Sequence, residues 1–376
     1  MRAGPGQLRR TALYDLHVAL SARMVPFAGW EMPLQYARGI VEEVRAVREH
    51  AGVFDVSHMG RLFVVGADAA PALRKAVTYD VASLPEGRGQ YTLLCNDAGG
   101  ILDDPYVYRL DTVRFLVVGN AVNAERDLER IRSLIEPGRD VQLLDRQAQT
   151  VMLAVQGPQA ASLLARVAGP EAVRLERRAC HELPYEGVKL LVSRTGYTGE
   201  DGFEVVTGAE AGRRLWSRLL AEGVVPCGLG ARDVLRLEAA LPLWGQDIDE
   251  QTNPYEAGMG WVVTLDDGAP FAGREALAAV RRAPLRRRLA HLRAVEQGVM
   301  RHGQSVLHGG NVVGTVTSGG YSPTLGVSIG MAYLPPDIAV EGVELAVDVR
   351  GRPLRVKVVS RPFYRRAGAS GRASSA

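Results

Sequence analysis

The stretch SRTGYTGEDGFEV, residues 193–205, constrains the fold more than any other part of the chain. Strand-like KLLVSRT leads into it and FEVVT leads out, so it reads as a β-hairpin about a polar turn. The turn holds Gly196, Gly199 and Gly202, where one glycine is enough to reverse a chain. The additional glycines imply that this backbone passes close to something. Alternation along the second strand puts Phe203 and Val205 on one face and Glu204 on the other. Taken alone, Glu204 also fits a solvated hairpin carboxylate.

The surrounding pattern is strand, helix, hairpin, helix, given twice. In the first half, IVEEVRAVREHA carries Ile40, Val44 and Val47 at helical spacing, with Gly52 as its stop. RLFVVG is a strand, and Asp68 is placed to N-cap the helix AAPALRKAV. QYTLLCN, the strand ILDDPYVYRL, the strand RFLVVGN and the amphipathic helix AERDLERIRSL follow. In the second half VMLAVQG is a strand and PQAASLLARVAG a helix with Pro158 in its first turn. The hairpin and the helix AEAGRRLWSRLLAEG close it. Short connections between strands favour antiparallel sheets covered by helices, an α+β arrangement. Beyond Pro284 short strands separated by Gly and Pro predict a small β-barrel or jelly roll: RRLAHLRA, NVVGTVTSG, GVSIGMAYL, VELAVDV and LRVKVVS. The segment 367–376 is small and polar and reads as a disordered tail.

A chain of 376 residues exceeds one typical core and favours two or three domains. No apolar run approaches the roughly 18 residues of a membrane span. MRAGPGQLRR is basic but lacks an apolar stretch, so it is not a secretory signal. A net charge of +3 gives no argument for nucleic acid. Cys95, Cys180 and Cys227 are scattered and odd in number. They fit buried free thiols in a reducing compartment, not a disulfide framework or a zinc site. There is no G-x-G-x-x-G after a strand, no phosphate-binding lysine loop and no H-E-x-x-H; GLGARD holds two of the dinucleotide glycines. His58 of DVSHMG is either a proton-transfer group or a structural histidine.

Asp103 and Asp104 follow Gly99-Gly100 at the start of a predicted strand. Neighbours on a strand face opposite ways, so one carboxylate points inward and the other to solvent. The inward one requires a donor, a cation or a ligand. A turn-capping Asp beside a solvated one is the plain alternative. Pro105 removes a ladder donor and restrains Asp104 toward extended geometry.

Further blocks accompany the hairpin: RMVPFAGWEMPLQY (23–36), GVFDVSHMG (52–60), CNDAGGILDD (95–104), GLGARDVLRLEAALPLWGQDIDEQTNPYEAGMGW (228–261), TVTSGGYSPTLG (315–326) and RPFYR (361–365). In their order and spacing they resemble the aminomethyltransferase (T-protein) family of the glycine cleavage system. The resemblance is weak over 133–150, 161–188, 275–300 and after Arg366. It begins near Thr11, which leaves little room for an organelle presequence.

The resemblance implies a three-domain α+β cloverleaf: two antiparallel-sheet α+β domains and a C-terminal barrel around a central folate cavity. The expected division is 1–55 with 140–275, then 56–139, then 276–366. It implies that Asp104 is catalytic and that Glu204 meets the pterin. A carboxylate can accept a ring N–H and an exocyclic amine side by side, as it accepts an arginine fork. Arg232 is the matching cation, toward the pterin carbonyl or the glutamate tail; a surface ion pair with Asp233 or Glu238 is its plain alternative. Tyr197, Asn120, Tyr91, Met59, Trp261 and Tyr364 lie in family blocks as cavity-lining candidates, and Trp244 does as well.

The implied reaction moves a methylene carbon from an aminomethyl group on the lipoyl arm of H-protein to tetrahydrofolate, without a metal. The implied partners are H-protein and the other glycine cleavage proteins, with neither membrane nor nucleic acid. The expected setting is the cytoplasm, or the mitochondrial matrix in a eukaryote. H-proteins are generally acidic, and RRAPLRRR (281–288) offers a steering patch or an ordinary exposed surface. The rival readings are a tetrahydrofolate-dependent demethylase of the same superfamily and a folate-binding accessory protein. The retained Asp103-Asp104 pair and the isolated cysteines argue against the latter.

Overall fold

A computed structural model describes residues 7–366. The chain forms two compact units. The first takes in residues 7–92, Asp104–Gly196 and Glu200–Asp233; the second takes in Leu93–Asp103, Tyr197–Gly199 and residues 234–366.

The first unit holds two larger sheets. One is antiparallel and five-stranded, in the order Gln142–Asp145, Gly60–Val65, Arg114–Gly119, Tyr106–Arg109, Arg88–Tyr91. The helices Ala69–Ala76 and Ala124–Ser133 touch each other and pack on it. The other has six strands, in the order Cys180–Tyr185, Val188–Ser193, Gly202–Gly208, Thr150–Gln156, Gly52–Asp55, Val225–Pro226. Only its last pair is parallel. The helices Ala160–Ala168 and Ala209–Ala221 cover it. Their buried stripes, Leu163, Leu164, Leu215 and Trp216, meet Leu153, Val155, Phe203 and Val205 from the strands in one core. Each such side chain stabilises the fold by roughly 1.5–3 kcal/mol through burial alone. Truncating Phe203 or Trp216 to alanine should cost about 3–5 kcal/mol.

The second unit carries the closed barrel, in the order Arg288–Ala294, Val327–Leu334, Asn311–Ser322, Ser305–His308, Glu344–Val349, Arg352–Val359 and back to the first. Leu292, Val306, Val316, Leu334, Val347 and Val356 fill its interior. The expected α+β class with a small C-terminal β-barrel is the class the structure has.

Several local expectations need correction. The stretch ILDDPYVYRL is not one strand: Ile101–Asp103 pairs with Leu94–Cys95, while Tyr106–Arg109 belongs to the five-stranded sheet. The break falls at Asp104-Pro105, where proline offers no ladder N–H. Gly52 does not stop the helix Gly39–Glu49 but begins a strand. A Cβ on Gly52 would lie 2.6 Å from Val47 Cγ2 and 2.7 Å from Cys227 Sγ, so close packing requires glycine there. Asp68 occupies the N-cap position of Ala69–Ala76 without capping it through its side chain. Its Oδ2 instead accepts from Asp140 N at 2.9 Å. Pro158 precedes the helix Ala160–Ala168 and its N-cap, Gln159. Ser305–His308 is a sixth barrel strand, beyond the five that the sequence pattern predicts. The tail 367–376 lies outside the described residues.

Candidate functional site

Asp104 takes its position from the strand it precedes. Tyr106–Arg109 is flanked in its sheet by Arg88–Tyr91 and Arg114–Gly119, with Tyr91 and Val118 both opposite Tyr106. Tyr91 ends one neighbour and Asn120 follows the other, so both side chains reach back to the carboxylate. Tyr91 Oη donates to Oδ2 at 2.7 Å, and Asn120 Nδ2 donates to Oδ1 at 2.6 Å. Thr92 N donates to Pro105 O at 3.0 Å and closes the break in the chain. The inward and outward members of the acid pair are also distinguished. Asp103, the last residue of its strand, is fully buried, while Asp104 lies just past the strand and is partly exposed.

Glu204 stands opposite Ser193 in the hairpin, on the face away from Phe203 and Val205, both fully buried. Its Oε2 accepts from Thr195 Oγ1 at 2.7 Å and from Tyr108 Oη at 3.3 Å. Tyr108 Oη lies 2.7 Å from Thr195 Oγ1, and Ser193 Oγ lies 3.0 Å from it. Tyr108 is buried, and burial first, then the Glu204 charge, pushes its phenol well above the ordinary value. It therefore stays a hydrogen-bond donor. Thr195 and Tyr108 were not among the residues expected at the site. The signal for Tyr108 was in YVYR, where Tyr106 and Tyr108 alternate onto one face; their rings lie 4.8 Å apart.

The glycines of the hairpin turn face protein. Gln156, fully buried, donates from Nε2 to Thr195 O at 3.0 Å. A Cβ on Gly196 would sit 1.9 Å from Gln156 Oε1, and one on Gly202 would sit 2.5 Å from Gln156 Nε2 and 2.6 Å from Val155 O. Two ion pairs pin the same turn. Arg48 meets Glu200 at 2.9 Å, with both side chains buried. Arg194 forks onto Asp201 at 3.0 and 2.6 Å.

The loop Ser57–Met59 is held by a buried guanidinium. Arg61 donates to Ser57 O at 2.9 Å, Met59 O at 2.7 Å and Gln147 O at 2.6 Å, and to Thr150 through Oγ1 at 2.7 Å and O at 3.1 Å. Burial lowers its pKa to about 10 against the pull of Asp55 and Asp145. His58 is 2% exposed, with its Nδ1 unpartnered. Burial, then the Arg232 charge, drives its pKa down to about 3 against Asp55. It is therefore held neutral near pH 7. Arg232 itself is partly buried, on the helix Leu229–Glu238.

The remaining candidates belong to the second unit. Tyr197 Oη donates to Pro242 O. Trp261 lies in the short turn Gly260–Val262 and is 42% exposed. Tyr364 N donates to Glu238 O at 2.9 Å, and Trp244 Nε1 donates to Ile101 O at 3.0 Å. The Glu238 carboxylate accepts from Ser322 Oγ at 2.5 Å and Thr324 Oγ1 at 2.9 Å. All three cysteines are buried and free, and among the described residues no helix is long and apolar enough to cross a membrane.

Antiparallel α+β sheets followed by a closed barrel, with a hydrogen-bonded carboxylate at a strand break, define a two-module architecture that family models match part by part. Residues 13–267 match the GCVT N-terminal domain and residues 287–365 the glycine cleavage T-protein C-terminal barrel domain. The chain belongs to the glycine cleavage T-protein family, as its sequence blocks indicated. It is 47% identical to an aminomethyltransferase of Symbiobacterium thermophilum, over 95% of this chain and 98% of that one. It is 44% identical to an aminomethyltransferase of Geobacillus kaustophilus, over 96% and 100%. The crystal structure of aminomethyltransferase T from Bartonella henselae superposes with a TM-score of 0.89 at 38% identity, covering 95% of this chain and 98% of that one.

Proposed function

We propose that the chain catalyses the aminomethyltransferase step of glycine cleavage, with tetrahydrofolate as one-carbon acceptor and lipoylated H-protein as donor. The methylene carbon loses its bonds to the lipoyl sulfur and to nitrogen and gains bonds to N5 and N10 of the pterin cofactor. The two protons displaced from N5 and N10 balance the thiol and the ammonia released. No electrons enter or leave, and the arm departs as dihydrolipoyl. Full-length kinship to aminomethyltransferases supports this reading, and the single observation that carries it is the Asp104 carboxylate held by Tyr91 and Asn120.

In this reading Asp104 stabilises the cationic methylene centre and manages its proton, a task suited to a fixed carboxylate. Glu204 and Arg232 hold the folate, and Glu204 keeps Oε1 open for a ligand N–H, since both hydroxyls use Oε2. Tyr91, Asn120 and Met59 are the lining candidates in the first unit, and Tyr197, Trp261 and Tyr364 those in the second. Holding the acceptor in place saves orientation entropy. The three-part division at 56, 140 and 276 belongs to the same proposal, as does a cytoplasmic setting, which the bacterial relatives favour.

The basic segment 281–288 is a candidate docking surface for an acidic H-protein. Arg282, Arg286 and Arg288 are exposed. Arg281 pairs with Asp266 at 3.1 Å. Arg287 is occupied by Glu256 and Thr252, both at 3.2 Å, and lies over the Tyr333 ring.

The test is an assay of 5,10-methylenetetrahydrofolate formation from aminomethyl-loaded H-protein, with sulfonium and methylamine donors in parallel. Turnover with loaded H-protein alone is expected. Turnover only with a free methyl donor would favour the demethylase reading.

A further inference from the structure

Glu204 is the end of a directed chain of hydroxyls. An ionised carboxylate accepts and cannot donate. The single hydroxyl proton of Thr195 is therefore committed to Glu204 Oε2, at 2.7 Å. Thr195 Oγ1 is left to accept, and two hydroxyls stand ready: Tyr108 Oη at 2.7 Å and Ser193 Oγ at 3.0 Å. Tyr108 also touches Oε2 directly, at a longer 3.3 Å. Oε1 makes no hydrogen bond among the described residues, and Glu204 forms no ion pair there.

The platform beneath this chain is rigid. Thr195 O accepts from the fully buried Gln156. Ser193 faces Glu204 in register across the hairpin, and Ser193 Oγ also lies 3.3 Å from Glu204 O. Tyr108 comes from the other sheet and is 2% exposed. A glutamate has three rotatable bonds, and leaving them loose would lose much of the affinity that a fixed acceptor gains.

We propose that Thr195, backed by Tyr108, is a positioning residue that locks the Glu204 carboxylate with Oε2 satisfied inside the protein and Oε1 presented as an acceptor. The locked acceptor selects ligands whose matching edge carries N–H donors. This deepens the reading of Glu204 as the folate contact and rests on it.

The test is titration calorimetry of tetrahydrofolate with the full chain, without H-protein. Thr195→Val keeps the shape and removes the hydroxyl. It should weaken binding about tenfold, while Thr195→Ser stays within about twofold of the parent. Tyr108→Phe should fall between them. In a Glu204→Gln background Thr195→Val should have little further effect, because the hydroxyl acts through the carboxylate. Thermal melts confirm folding; should Thr195→Val not fold, the Thr195→Ser and Tyr108→Phe pair carries the comparison. Weakened binding in Glu204→Gln with unchanged binding in Thr195→Val and Tyr108→Phe overturns the positioning role alone. Unchanged binding in Glu204→Gln overturns the folate contact itself. Equal losses from Thr195→Val in both backgrounds also overturn the positioning role, since the hydroxyl then acts independently of Glu204.

Discussion

Asn120 Nδ2 donates to Asp104 Oδ1 at 2.6 Å, across the strand break that Pro105 creates. With Tyr91 on the other oxygen, the carboxylate is fixed from both neighbouring strands while remaining partly exposed. A carboxylate so held keeps its charge oriented before any substrate arrives, which is where electrostatic stabilisation has its largest effect.

Asp104→Asn should therefore lower turnover by roughly 10²–10⁴-fold with a native melting profile. Asp103→Asn should do the reverse, since Asp103 is fully buried: a lower melting temperature with turnover largely retained. Steady-state kinetics and melts of the two variants together decide between them. Equal kinetic losses would remove Asp104 from its role.

Arg61→Met should destabilise the chain by at least about 3 kcal/mol, because buried carbonyls at residues 57 and 147 and half-buried ones at 59 and 150 lose their donor together. Urea unfolding measures this. An unchanged midpoint would mean that the loop Ser57–Met59 holds itself.

His58 sets a pH dependence. Its folded pKa is about 3 against an ordinary 6.5, so between these values the unfolded chain binds a proton that the folded chain does not. Stability thus falls as pH drops below about 6.5, by about 1.4 kcal/mol per pH unit once His58 is protonated when unfolded. His291, also near 3, adds the same slope. Asp55 acts lower down. Burial raises its carboxyl, but His17, the Ser57 N–H and Thr11 outweigh this and hold it at about 2, so its contribution is lost as pH falls from about 4 toward 2. Urea unfolding from pH 7 to pH 4 should show a shallower slope for His58→Gln than for the parent. Parallel curves would contradict the burial of a neutral imidazole.

Charge reversal at Arg282 and Arg286 should slow association with lipoylated H-protein at low salt and leave tetrahydrofolate affinity unchanged. The deficit should shrink as the screening length falls to about 10 Å at 0.1 M salt. Stopped-flow association over a salt series reads it directly; parent-like rates at low salt would move the docking surface elsewhere. Arg287 is a poor probe, because its contacts to Glu256 and Thr252 make reversal there a stability change.

Much of this was legible in the chain itself. The hairpin, the alternation that sets Glu204 apart from Phe203 and Val205, and five of the barrel strands all follow from period-two patterning. The pattern failed where tertiary contacts decide. Glycine at position 52 looked like a helix stop, yet its reason is the close approach of Val47 on the preceding helix and of Cys227 from far along the chain. Asp68 sat at a cap position, yet a backbone N–H at residue 140 claimed its side chain. The strand break at Asp104 was written in Pro105, but only sheet pairing reveals that the halves join different sheets. For Tyr108 the alternation in YVYR gave the face but not the partners: its hydroxyl meets Thr195 and Glu204, which lie far along the sequence.

Gln156, wedged against Gly196 and Gly202, makes the hairpin intolerant of changes in length. A slip of one residue would turn Glu204 into the core and bring Phe203 or Val205 out. A slip of two would restore the face but carry the carboxylate roughly 7 Å along the strand, out of reach of Tyr108. Insertions or deletions between Ser193 and Gly202 should thus be far less tolerated than in an exposed hairpin tip. Among variants that retain activity, this span is expected to change its letters but not its count.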